Sequence, residues 1–139
     1  ARIVNEEMVD FVLERIKQYI EKDVIDYTSK TCGIFGLTFK ANVPDFRNSK
    51  NLEIAEQIAQ KMSFKEVSLF DPYAEQSTID SETNIYSKLG TQAFDIYIIL
   101  TPHNIFSRKP EYKNIFESKK NIVIDVTGKI VKNSNLSIL

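Results

Sequence analysis

The chain has 139 residues, with a hydrophobic content of 42%, a charged content of 27% and a formal net charge of -1. This composition is typical of one globular domain with a sizeable core. A pI near 5.9 argues against nucleic acid as the main partner, and no apolar run approaches the roughly 20 residues that a membrane span needs.

Cysteine usage and the first residues bear on the cellular compartment. Cys32 is the single cysteine, so no disulfide framework forms within the chain, and we expect a reducing, cytoplasmic location. Residues 1–5 lack the apolar segment of a signal peptide. Because the chain starts without Met and inside a helical pattern, we expect a piece of a longer protein.

Apolar spacing predicts three helices. The first covers residues 4–22, the second follows Ser49 and runs to about residue 62, and the third covers residues 110–117, with proline near its first turn. We expect the first helix to carry a stripe of apolar side chains, part of which covers one face of the sheet. That stripe consists of Met8, Phe11, Val12, Ile16, Tyr19 and Ile20.

Apolar runs predict four strands, at residues 31–37, 66–70, 95–100 and 121–125. Between the second and third we expect a loop, a short strand or turn near Ile85, and a short helix before Ala93. The tail, 133–139, is expected to add an edge strand or to dock on a neighbour. Alternating strands and helices predict a Rossmann-like α/β/α sandwich with a parallel sheet of order 2-1-3-4.

Ligands of such sheets bind where the strand order reverses, outside the carboxyl ends of the strands. The loops of residues 38–48 and 101–106 meet at that point. The first carries Lys40 and Arg47, and the second carries His103 and Asn104. Cations beside the free N–H groups of a helix start can converge on an anion, which predicts a phosphate site.

Simpler interpretations exist for each candidate. Gly33 and Gly36 are wrongly spaced for a dinucleotide fingerprint. Lys40 can be an ordinary solvent-exposed lysine, and Arg47 can simply pair with Asp45. A lone histidine such as His103 is more often a loop hydrogen-bonder than a catalyst or a metal ligand, and no metal site is predicted.

Two further residues have structural interpretations. Asp71 is expected to cap the turn that Pro72 begins. Cys32 lies within a predicted buried strand and is expected to be an inert core thiol.

Four segments carry a resemblance when they are taken together. They are Gly36-Leu37-Thr38-Phe39-Lys40, Asp45-Phe46-Arg47-Asn48-Ser49, the turn at Asp71-Pro72-Tyr73, and Leu100-Thr101-Pro102-His103. In this order they resemble the signature of the C-terminal domain of the UDP-glucose/GDP-mannose dehydrogenase family. The loop sequence is most similar to the branch that oxidises UDP-N-acetylhexosamines for capsule and surface polysaccharides.

The resemblance implies a division of the chain and of its parent protein. Residues 1–22 would end the family's central helix, and residues 23–139 would form the UDP-sugar-binding domain. Full-length members use NAD, bound mainly by an N-terminal domain, to oxidise the sugar C6 alcohol twice, and they form homodimers or larger assemblies. The catalytic cysteine lies upstream, so no catalytic residue is expected in this chain.

The resemblance also implies roles for individual residues. Phe39 and Lys40 would bind the UDP-sugar, and Arg47 would face the NAD cleft. The remaining motif residues, including Gly36, would hold the loop and the helix start. Lys129 is a further candidate, because family members that act on UDP-glucose often carry an arginine in this stretch.

A second hypothesis is a non-catalytic flavodoxin-like or receiver-like module that acts through protein contacts. A receiver needs an acidic cluster before its first helix and a phosphoacceptor Asp that ends a strand, whereas the loop after the first strand here is cationic.

Overall fold

The computed structural model describes residues 2–76 and 83–131. Helices and strands alternate along this part of the chain, as the sequence predicts. In chain order the elements are α1 (Arg2–Asp23), β1 (Thr31–Phe35), α2 (Lys50–Lys61), β2 (Glu66–Phe70), β3 (Ile85–Tyr86), β4 (Ile96–Ile99), α3 (Ile105–Arg108), α4 (Pro110–Phe116) and β5 (Ile122–Asp125).

The strands form a parallel sheet of order β3-β2-β1-β4-β5. The order of the four predicted strands is confirmed. The two-residue β3 pairs with β2 and adds one edge strand, at the place where a strand or turn was expected near Ile85. The strand order reverses between β1 and β4, whose register sets Phe35 beside Ile99. The carboxyl ends of β1, β2 and β4 therefore lie side by side.

Both faces of the sheet are covered, because successive side chains of a strand point to opposite faces. On one face Ile34 and Ile98 pack with α1 and α2. On the other face Phe35 packs with α3 and α4 through the rings of Phe106 and Phe116. This is the three-layer α/β/α arrangement that the sequence predicts.

Part of the apolar stripe of α1 is buried and part is exposed, as the sequence predicts. Met8 and Phe11 are 47% and 50% exposed, whereas Val9 is buried. Val12, Ile16 and Ile20 are buried as expected. α1 carries apolar residues on two adjacent helical faces, and only one of them is buried. The buried stripe is Val9, Val12, Ile16 and Ile20, of which the prediction omitted Val9.

Two other expectations concern the segment before β4 and the C-terminal tail. The helix expected before Ala93 is wrong, because residues 87–95 form turns and bends. The tail, 133–139, lies outside the described residues. Within the described ranges, the helices all lack the combination of length and apolar character that crossing a membrane requires.

Candidate functional site

The site lies at the carboxyl ends of β1, β2 and β4, where the loops that follow these strands pack against one another. Gly36 makes the first contact. Its φ is +88°, and a Cβ atom there would lie 2.4 Å from the carbonyl oxygen of Thr101. Only glycine accepts both this backbone conformation and this approach without strain. The loop after β1 therefore starts in direct contact with the loop after β4.

A buried threonine pair continues this contact. The Thr101 hydroxyl donates to the Thr38 carbonyl oxygen at 3.0 Å. Asn51, in the first turn of α2, donates its amide N–H to Thr101 Oγ1 at 2.8 Å and to the Thr38 carbonyl at 3.3 Å. The start of the loop after β1 is thus bonded to both the loop after β4 and α2.

The Asp71 carboxylate is fully buried at the end of β2 and accepts bonds from three parts of the chain. Its Oδ2 accepts from the Leu37 amide at 2.7 Å and lies 2.9 Å from His103 Nε2. Its Oδ1 accepts from the Tyr73 amide at 2.9 Å. The predicted cap of the Pro72 turn is present, and the same carboxylate also ties β2 to the loops after β1 and β4.

His103 is fully buried, and both of its ring nitrogens are bonded. The Asn42 amide donates to Nδ1 at 2.9 Å. Because an amide N–H can only donate, Nδ1 is the acceptor and the ring proton is on Nε2, which faces Asp71. Nε2 also lies 3.2 Å from Thr38 Oγ1. His103 is the loop hydrogen-bonder of the simpler interpretation, and its burial keeps it away from ligands.

Two candidate ligand-binding side chains, Phe39 and Lys40, extend from the loop that these buried bonds hold. Phe39 is 60% exposed, although its amide donates to the Asp45 carbonyl at 2.8 Å. Lys40 is exposed and, among the described residues, forms no ion pair. The backbone of this segment is therefore held in place, while an aromatic face and an ammonium group are presented to solvent.

Arg47 pairs with Asp45 by two hydrogen bonds of 3.1 and 3.2 Å between guanidinium and carboxylate. Those bonds lower the pKa of Asp45 and raise that of Arg47. The Arg47 side chain is nonetheless 87% exposed. Ser49 caps α2, since its hydroxyl accepts from the Leu52 amide and donates to the Leu37 carbonyl.

Beside this pair an open groove of about 290 Å³ runs along the start of α2. Its α2 wall carries the carboxylates of Glu53 and Glu56, and its other end carries Arg47. An anionic ligand in this groove would thus bind at the Arg47 end, next to the helix N-terminus.

Lys129 lies in the loop after β5, on the same edge of the sheet but one strand beyond β4. This loop is shaped by the buried Asp125 carboxylate, which accepts hydrogen bonds from the Thr127 hydroxyl and from backbone amides between Thr127 and Val131. Lys129 itself is exposed. The structure places it apart from the contacts that join the loops of Lys40 and His103.

Metal and nucleophile chemistry find no support in the described ranges. These contain no group of three or more His, Cys, Asp or Glu side chains that could hold a metal ion. Cys32 is buried within β1, and burial raises the pKa of its thiol far above the ordinary value. It is therefore an inert core thiol, as predicted.

Sequence reasoning missed several residues that build the site. Asn42 has a φ of +66°, a conformation that asparagine accepts better than most residues. An asparagine at this position is therefore a sequence signal for a turn. Thr101 and Asn51 carry no comparable signal, because their partners are distant in sequence. Asp125 could have been found by analogy with Asp71, since both end an apolar strand.

Comparisons with known proteins show the family of the chain. A sequence model of the UDP-glucose/GDP-mannose dehydrogenase family, UDP binding domain, matches residues 33–132. A UDP-N-acetyl-D-mannosamine dehydrogenase of Methanocaldococcus jannaschii is 34% identical, over 94% of this chain and 27% of the relative. A UDP-N-acetyl-D-glucosamine 6-dehydrogenase of Salmonella typhi is 28% identical, over 78% of this chain and 25% of the relative.

Solved structures show the same fold. The UDP-D-ManNAc dehydrogenase from Pyrococcus horikoshii superposes with a TM-score of 0.63 and 26% identity, over 89% of this chain and 28% of that chain. The UDP-N-acetyl-mannosamine dehydrogenase Cap5O from Staphylococcus aureus gives 0.66 and 24%, over 96% and 29%. The chain thus spans between a quarter and a third of the length of the relatives it matches.

Proposed function

The chain belongs to the UDP-glucose/GDP-mannose dehydrogenase family, as its UDP-binding domain, and on that basis we propose that Phe39 and Lys40 bind the UDP part of a nucleotide sugar. The observation that carries this proposal is their presentation. Both side chains are exposed, and both stand on a backbone that is bonded to the buried carboxyl ends of three strands.

The chemistry of a diphosphate supports these roles. Its charges need cationic partners, and each charge-assisted hydrogen bond is worth about 1.5–3 kcal/mol. Lys40 supplies a mobile ammonium group that no described carboxylate engages. Phe39 supplies an apolar face beside it. This pairing suits a ligand that combines a planar base or a sugar ring with phosphates.

Arg47 and Lys129 have secondary roles in the proposal. We propose that Arg47 faces the cleft that holds NAD in the whole protein, since its guanidinium is exposed next to the N-terminus of α2. Its pairing with Asp45 fixes its direction without covering it. Lys129 is proposed as a contact for the sugar-nucleotide, supported only by its place on the carboxyl edge of the sheet.

For the whole protein we propose NAD-dependent oxidation of the C6 alcohol of a UDP-N-acetylhexosamine to a carboxylate. Relatives that act on the mannosamine and the glucosamine derivatives support this substrate class. The inert state of Cys32 supports a catalytic nucleophile elsewhere in that protein. Family membership decides against the non-catalytic receiver-like module.

We also propose that residues 1–22 belong to the central helix of the whole protein and contribute to a homodimer. The exposed Met8 and Phe11, on the face of α1 that the sheet does not cover, support this assignment. A cytoplasmic location is proposed with it, because NAD and nucleotide sugars are available there.

UDP titration of the 139-residue chain, followed by amide chemical shifts, tests the binding role. Shifts should centre on Phe39, Lys40 and residues 101–104. Lys40→Ala should raise the Kd for UDP about tenfold or more, the equivalent of one charge-assisted bond. Lys65→Ala, at the opposite edge of the sheet, is the matched control and should leave the Kd unchanged.

Uridine serves as the second ligand of this test. If Lys40 pairs with phosphate, Lys40→Ala should change the uridine affinity little. Equal losses of UDP and uridine affinity, or shifts confined to the amino edge of the sheet, would contradict the assignment of Lys40.

A further inference from the structure

We propose that His103 is a positioning residue, which fixes the loop of residues 38–48 in the conformation that presents Phe39 and Lys40 to UDP. This inference rests on the proposed UDP site and adds to it a residue that never touches the ligand. The buried ring acts as a rigid spacer between the end of β2 and the middle of that loop.

The two ring nitrogens are the basis of the proposal. Nε2 faces the Asp71 carboxylate at 2.9 Å, and Nδ1 accepts the Asn42 amide at 2.9 Å. One bond therefore anchors the ring to the sheet, and the other anchors the loop to the ring. Because imidazole is planar and inflexible, the distance between Asp71 and Asn42 is set by the ring itself.

The ring is held on its faces and edges as well. Tyr73 and Phe106 pack edge-on against it, with ring centroids 4.9 and 5.4 Å away. His103 is completely buried, so its influence on a ligand passes through the loop. The aromatic neighbours limit the ring to one orientation, which gives both nitrogens fixed directions.

The loop depends on this tie at Asn42. The residue has a φ of +66°, and its side-chain oxygen accepts from the Asn104 amide at 2.8 Å. Asn42, which lies two residues after Lys40 in the sequence, is thus bonded to both His103 and Asn104. Without the Nδ1 acceptor, the partly buried Asn42 amide would lose its partner, and the loop would open to find water.

Two substitutions distinguish the roles of the two ring nitrogens. The amide nitrogen of glutamine reaches about as far as Nε2, so His103→Gln retains a donor for Asp71 and removes the acceptor for Asn42. The amide oxygen of asparagine lies about where Nδ1 lies, so His103→Asn retains the acceptor for Asn42 and removes the donor for Asp71. Each variant is the matched control of the other.

Hydrogen exchange of the Asn42 amide reports the loop directly. In His103→Gln this amide should exchange about tenfold faster, as expected for the loss of one hydrogen bond, while the Leu37 amide, bonded to Asp71, should stay protected. The Kd for UDP should rise about three- to tenfold, with a smaller fall in melting temperature than in His103→Asn. His103→Asn should show the opposite pattern, with a lower melting temperature and a UDP Kd close to that of the wild type.

The unsubstituted chain supplies a test that does not depend on variants folding. His103 is the sole histidine, so its ring signals need no assignment. Nitrogen–proton correlation spectra should show the proton on Nε2 and a bare Nδ1. A protonated Nδ1 would mean that the Asn42 bond does not exist, and the proposal would fall.

The remaining outcomes are also decisive. Equal losses of UDP affinity in both variants, in proportion to their losses of stability, would show a merely structural role and overturn the proposal. So would an Asn42 amide that stays protected in His103→Gln. If the wild type does not bind UDP, the proposed function fails, whereas the Asn42 exchange and the ring proton still decide whether His103 fixes the loop.

Discussion

Replacing Gly36 by alanine tests whether close packing of the loops after β1 and β4 limits the stability of the domain. The added Cβ would meet three atoms of Thr101, including the backbone oxygen at 2.4 Å and nitrogen at 2.6 Å. Backbone atoms cannot rotate away as a side chain can. The φ of +88° adds a conformational penalty for any residue with a Cβ.

Two other glycines separate the cost of the atomic contact from the cost of the positive φ. Gly90 has a φ of +68° and nothing within 4 Å of its added Cβ, so Gly90→Ala carries the conformational penalty alone, about 1–2 kcal/mol. Gly33 has no positive φ, and its added Cβ would meet the rings of Phe94 and Phe35 at 2.9 and 3.0 Å. Gly33→Ala therefore carries overpacking alone, about 1–3 kcal/mol.

Gly36→Ala combines both terms, which gives a loss of about 2–5 kcal/mol in the free energy of unfolding. Such a loss is a large share of the roughly 5–15 kcal/mol that stabilises a typical domain. At about 3–5 °C per kcal/mol for a chain of this size, the melting temperature should fall by roughly 6–25 °C.

Urea and thermal unfolding of the three variants and the wild type provide the assay. We expect Gly36→Ala to be the least stable of the three. If Gly36→Ala costs no more than Gly90→Ala, the loop is free to move away from Thr101, and the argument from backbone contact is wrong.

Two predictions concern charge and titration. For the NAD-dependent activity proposed for the whole protein, we expect Arg47→Ala to raise the KM for NAD more than that for the UDP-sugar, because the guanidinium is exposed at the proposed interdomain cleft; equal changes in both KM values would argue against this placement. Burial, with the negative charges of Glu111 and Asp71, raises the pKa of Tyr112 to about 12. Because that pKa is raised in the folded state, the stabilisation is present below the ordinary tyrosine pKa of about 10 and is lost as pH rises from there to about 12. Absorbance titration should show one late-ionising tyrosine that disappears in Tyr112→Phe, and a titration unchanged by that substitution would contradict the assignment.

The layers of the fold were predictable because they follow from local patterns. The apolar runs that became β1 and β4 are buried on both faces, and this continuity can be read directly from the sequence. The start of α1 was not predictable in the same way. Met8 and Val9 both fit a helical stripe with Val12, and only the position of the sheet decides which of them is buried.

The candidate site was predictable as a place, and its internal bonds were not. The motif that contains Lys40 and Arg47 follows a strand at the order reversal, which a topological rule identifies. The bonds that hold this motif join residues far apart in the chain, such as Asn42 and His103, 61 residues apart. Hydrogen bonds at such separations depend on the final packing of three loops, which no local sequence pattern encodes.

Two buried carboxylates use the same physical device at different points of the sheet. Asp71 ends β2 and Asp125 ends β5, and each accepts backbone N–H bonds from the loop that follows it. A buried charge is costly unless it is fully hydrogen-bonded, so these loops must keep the conformation that supplies the donors.

The bonds of Asp71 and His103 order the loop of residues 38–48 as part of the fold itself. A ligand that meets an already ordered Phe39–Lys40 segment does not have to offset the entropy of fixing that loop. In the site proposed above, preorganisation of this kind would let a single exposed ammonium group serve as a specific phosphate contact. It would depend on His103 and Asp71, which are buried and which the proposed ligand does not reach.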